Sequence, residues 1–145
     1  MNASDLRIGN LIGKSSEVIV VKSIDEYGIN VSYDRDYGEE YEGLFSDLTP
    51  IPITKEWLLK ASFFNDENNS DLYYISQYFS TMAPRPRFAL IKLHKEPFED
   101  NHYQFLFYDV EKEQGIISLG IKIKYLHELQ NMYWALKGED LTINK

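Results

Sequence analysis

The sequence predicts an α+β fold on three observations. The segment from Lys124 to Gly138 is helical in period: Tyr125, Leu126, Leu129, Met132, Tyr133 and Leu136 fall within an arc of about 120°, the width of a core-facing stripe. Just before it, Ile117, Leu119, Ile121 and Ile123 alternate with Ser118, Gly120, Lys122 and Lys124, the strongest strand pattern in the chain. The first fifty residues hold four or five short strand-like segments separated by turns, which suggests a small barrel or strongly bent sheet. Residues 1–50 therefore read as a small SH3-like β-barrel or bent sheet. Residues 51–145 read as a short helix, an antiparallel meander and a C-terminal helix packed on that meander, with a soft boundary near Thr49–Ile53.

In order, Leu6 and Ile8 alternate before Gly9 interrupts, as at a bend. The β-branched run Glu17–Ile24 is a strand, Asp25–Gly28 a turn, and Ile29–Tyr33 a clean alternation. Residues 34–40 make an acidic loop and Tyr41–Phe45 a fourth strand. Ser46–Pro52 suits one helical turn and then an extended edge, since Pro50 and Pro52 cannot donate to a ladder. Thr54 caps a short helix over Lys55–Ala61, with Trp57, Leu58 and Ala61 on one side and Phe63 and Phe64 buried beyond it. A polar loop over Asn65–Asp71 leads into strands over Leu72–Ser80, Arg87–His94 and Tyr103–Val110. In the last helix, Lys137 suits the negative end of the dipole and Gly138 the left-handed residue that ends many helices.

Composition narrows the functional classes. The 145 residues carry a net charge of −8, and residues 1–50 alone hold ten acids and four bases, which argues against wide contact with a phosphate backbone. The chain has no cysteine, which removes disulfides, thiolate catalysis and Cys-based zinc sites. The N-terminus lacks the basic start and apolar run of a signal peptide, and no apolar run is long enough to span a bilayer, so the expected location is cytoplasmic. Aromatic residues make up 14%, a level that suits sheets and interfaces.

Four side-chain groups carry candidate chemistry. His94 and His102 flank Glu96, Glu99 and Asp100, but their spacing matches no metal-ligand pattern; a solvated acidic loop is the simpler reading, and no metal or cofactor is expected. Asp34, Asp36, Glu39, Glu40 and Glu42 surround Gly38 without the spacing of a calcium loop. Arg85 and Arg87, held around Pro86, are candidates to grip a carboxylate or phosphate. His127, Asn131 and Trp134 share the helix face opposite the stripe. They either pack on the N-terminal part, where His127 and Asn131 would satisfy buried backbone groups, or form an interaction face anchored by the indole. Packing is the favoured alternative, because Trp is mostly buried. No phosphate loop, nucleophile elbow or dinucleotide fingerprint occurs.

Three pieces resemble one family: Leu6-Arg-Ile-Gly-Asn10, Pro50-Ile-Pro-Ile-Thr-Lys-Glu-Trp-Leu-Leu-Lys60, and the run from Tyr125 through His127-Glu-Leu-Gln-Asn131 and Trp134-Ala-Leu-Lys-Gly138 to Leu141. They are similar to motifs of a family of short proteins, with no known reaction, common in Bacteroidetes-type genomes and their phages and prophages. Ile53 stands where that family usually has Leu, Trp134 stands where it often has Phe, and residues 65–101 match nothing in it. The resemblance implies mobile-element cargo and assigns no catalytic residue. The expected function is a non-enzymatic module that binds another protein. A nucleic-acid-associated regulator using Lys122, Lys124, Arg85 and Arg87 is the alternative, and a small enzyme with an unrecognised acid–base pair stands third.

Overall fold

A computed structural model describes residues 1–28, 30–34, 40–78, 87–93, 102–109 and 114–144. It is α+β, with two five-stranded antiparallel sheets and two α-helices among the described residues. The chain divides into two compact units. The first comprises Met1–Pro52 and Tyr125–Asp140, the second Ile53–Lys124 and Leu141–Lys145. No helix among the described residues is long and apolar enough to cross a membrane.

In the first unit the strands are β1 (Leu11–Lys14), β2 (Glu17–Ile24), β3 (Asn30–Asp34), β4 (Glu40–Leu44) and β5 (Leu48–Thr49). Their order is β4-β3-β2-β1-β5, an open sheet. Ser15, in the left-handed region at φ 57, turns the chain from β1 into β2. A register shift between Val21 and Ser23 bends β2 where it pairs with β3. A 3-10 turn at Phe45–Asp47 delivers β5 to the far edge beside β1. Gly13 is required there, because a Cβ would stand 2.7 Å from the Thr49 hydroxyl. The core is aliphatic, built from Leu6, Ile12, Ile19, Val21, Val31 and Leu48, with Tyr33 stacked on Tyr41 at its margin.

The second unit opens with α1 (Lys55–Lys60), capped as its sequence predicts: the Thr54 hydroxyl accepts from the Trp57 N–H. Strands β6 (Phe63–Asn65), β7 (Leu72–Tyr78), β8 (Arg87–Lys92), β9 (Tyr103–Asp109) and β10 (Gln114–Ile123) follow, in the order β10-β9-β8-β7-β6. Phe63 and Phe64 part company here. Phe63 is buried, but Phe64 is exposed, because successive residues of a strand face opposite sides. The alternation expected along Ile117–Lys124 also breaks. Gly120 sits at φ +67, the pairing shifts between Ser118 and Lys122, and Ile121 is turned outward while Ile123 stays buried.

The last helix, α2 (Leu126–Lys137), forms where periodicity places it and ends at Gly138 with φ 73. Its placement corrects the sequence expectation. It is grouped with the first unit, where it meets β1. The reason is chemical. The face beside its apolar stripe carries amides that answer backbone groups of the N-terminal segment.

Candidate functional site

The junction of α2 with residues 1–11 concentrates most of the buried polar chemistry among the described residues. Leu126, Leu129 and Tyr133 are buried, as the stripe predicts, but so are His127 and Gln130 on the neighbouring face. Gln130 completes the start of β1. Its Oε1 accepts from the Leu11 N–H at 2.9 Å, and its Nε2 donates to the Gly9 carbonyl at 3.4 Å. Asn131 donates to the Asp5 carbonyl at 2.7 Å and accepts from Asn10 Nδ2 at 3.0 Å. Asn10, only 1% exposed, also accepts from the Arg7 N–H through its side chain and from the Val21 N–H through its carbonyl. Among these groups the Leu11 N–H would otherwise be buried unsatisfied.

The segments that carry the family resemblance thus meet each other. Leu6–Asn10 and Leu129–Asn131 share this amide network. Ile51 accepts from the Leu126 N–H, and Pro52 bridges Tyr125. In this chain those residues hold the first unit together.

At the start of α2, Glu128 accepts from the Tyr125 N–H at 3.0 Å, so this carboxylate, on the flank of the stripe, caps the helix. His127 is 2% exposed, its ring stacks on Tyr125 with centroids 5.8 Å apart, and its Nδ1 has no hydrogen-bond partner among the described residues. Burial lowers its pKa from 6.5; Glu128 and Asp5 oppose that shift and the N-terminal ammonium adds to it. Of the three residues on the face opposite the stripe, all favoured to pack, only His127 and Asn131 are taken up by the fold. Trp134 differs: it is 43% exposed, with the Arg7 guanidinium 4.0 Å from its ring centroid. Arg7 also pairs with Asp140 at 3.6 Å, and Ile8, the next residue, is 64% exposed.

Most of the other candidates lie outside the described residues. Arg85 lies outside the described residues, as do His94, Glu96, Glu99, Asp100, Asp36 and Glu39. Arg87 lies on β8 with its guanidinium 5.4 Å from the Tyr74 ring. Asp34 pairs with Lys22 at 3.4 Å, and Glu40 and Glu42 lie along β4. Among the described residues no three His, Asp or Glu side chains come together as metal ligands.

Two features escaped the sequence reading. Tyr73 and Tyr103 meet edge to face in the second unit, and burial, followed by Tyr73 and then Asp71, pushes Tyr103 up to about 12. That phenol stays protonated at neutral pH and is no general base there. On the first sheet, Ser23, Asp25, Asn30, Ser32 and Glu42 help line a hollow of about 170 Å³, where the two serine hydroxyls lie 2.8 Å apart. Among the described residues no histidine lines it to activate either hydroxyl. Serines are too common for their spacing to have announced this pair.

The charge is divided as sharply as the packing. The first unit holds 13 acids and 5 bases, and so the whole net charge of −8, whereas the second balances ten against ten. No protein-family model matches the chain, and no curated protein or solved structure is significantly similar to it.

Proposed function

We propose that this chain is a non-enzymatic protein-binding module, an accessory protein of the phage and prophage kind that the resemblance implies, and that its contact face is centred on Trp134. The observation that carries this is the exposure of Trp134, 43%, on a helix whose neighbouring faces are buried. Trp and Arg are the residue types most enriched where interfaces concentrate binding energy. Arg7 lies over the indole and limits its motion, so less freedom is lost on binding. Ile8 and Asp140 extend the face with one apolar and one acidic group.

The strand order β4-β3-β2-β1-β5, with a 3-10 turn before β5, supports reading the first sheet as SH3-like. Fold alone assigns no ligand. The charge does narrow it: a unit bearing −8 favours a partner surface that is basic or neutral, and it repels nucleic-acid phosphates.

Affinity capture from the host with the wild-type chain and with Trp134→Ala tests the proposal. The wild type should retain a protein that the variant loses. The variant itself should lose only about 1–2 kcal/mol of stability in denaturant melts, because the indole is half exposed and its cation–π contact is modest. Equal retention by both chains would remove Trp134 from the interface. Sub-micromolar duplex binding at physiological salt, with no protein retained, would replace the proposal by the nucleic-acid regulator.

A further inference from the structure

We propose that His127 is a pH-sensitive latch: protonation of its buried ring releases the N-terminal segment, residues 1–10, from α2. The ring is 2% exposed, and Nδ1 has no partner among the described residues, so a second proton would have no acceptor there. It occupies the first turn of α2, where the helix dipole opposes a cation. Its flat stack on Tyr125, with an interplanar angle of 10°, holds the ring inside.

The charged groups around it do not provide a ready counter-ion. On α2, the Glu128 carboxylate is engaged by the Tyr125 N–H. On the N-terminal 3-10 turn, Asp5 accepts from the Asn2 N–H at 2.6 Å, and the ammonium of Met1 repels a second cation. Both carboxylates favour the protonated ring, but burial outweighs them. The sign follows. The released state binds the proton more readily, so the closed state is fully stable above the ordinary histidine value of 6.5 and weakens as the pH falls below it.

The helix that carries the ring also carries the contacts that hold the segment: Asn131 on Asp5, Asn10 on Asn131, and Gln130 on Gly9 and Leu11. Moving His127 into water disturbs the first turn of α2, on which the turn bearing Gln130 and Asn131 is built. Release would also lift Arg7 off Trp134. That consequence for partner binding rests on the proposed function; the release itself does not.

The test is an NMR titration of the full chain from about pH 8 to about pH 5, the range in which a histidine changes charge. It follows the His127 ring protons, the side-chain amides of Asn10, Gln130 and Asn131, and backbone hydrogen exchange corrected for its intrinsic pH dependence. His127 should titrate below 6.5. Protection at the Leu11 and Val21 amides should fall by about tenfold for each pH unit through the lower part of the range, the slope of one linked proton. Phe88 and Leu90 on β8 should keep theirs. His127→Phe retains a ring to stack on Tyr125 but cannot protonate, so its protection should be flat with pH. A wild-type midpoint at or above 6.5, or the same loss in the variant, overturns the latch. If the variant fails to fold, the wild-type chain still decides, because loss of protection away from the His127 midpoint also overturns it.

Discussion

In the second unit a chain of rings forms the centre: Phe63 lies edge-on to Phe88, Phe88 stands 4.6 Å from Phe105, and Phe105 lies edge-on to Phe107. In the first unit the core is mostly aliphatic, and the helix is tied to the N-terminal segment by the amides of Asn10, Gln130 and Asn131. Ring packing fills space and favours tilted or edge-on pairs, but it names no particular backbone partner. An amide bonded to a named carbonyl specifies which residue lies opposite it. The first unit, which also carries all the net charge, is therefore the part of the chain that should respond to pH and salt.

The largest effect is expected at Phe105. That side chain is fully buried between two other phenylalanines, so Phe105→Ala should cost about 3–5 kcal/mol in denaturant unfolding. A loss below about 1.5 kcal/mol would show that the rings pack loosely and that the contrast is false. Gln130→Ala sharpens the other side. It leaves the buried Leu11 N–H unanswered and should cost about 1–3 kcal/mol, with the largest loss of exchange protection at Leu11. Loss spread evenly over both units would mean that the amides are not local ties. The smallest effect falls at Ser62, which follows α1 in the left-handed region at φ 61. Ser62→Gly relieves that conformation and should raise stability by a few tenths to about 1 kcal/mol, read as a higher denaturant midpoint. An unchanged midpoint would mean that the turn carries no strain.

Periodicity made much of this fold legible. The β-branched run of β2, the threonine cap of α1 and the stripe of α2 all read directly from local residue order, because each records which side chains share a face. Periodicity does not record what covers a face, and so the helix was expected on the nearer sheet in sequence. Gln130 was overlooked because an amide leaves no periodic trace, although it sits four residues after Leu126 and three before Tyr133, at the edge of the buried arc. The outward turn of Ile121 had one cue, Gly120 within a run of otherwise regular alternation. Of the expected face, Trp134 was identifiable by its type, but whether Asn131 bonds to backbone or to a ligand depends on what lies opposite in space.

The irregularity at Gly120 has a consequence beyond the packing of its own sheet. Strand β10 is ten residues long and lies at the end of its sheet. A long straight edge is a template on which another chain can add a strand, the route to open-ended assemblies. Gly120 interrupts that template. The pairing of β10 shifts register between Gly115 and Ile117 and again between Ser118 and Lys122, so only short stretches are left to pair. By taking a conformation that side-chain-bearing residues rarely adopt, this glycine limits how far the chain can polymerise along that edge.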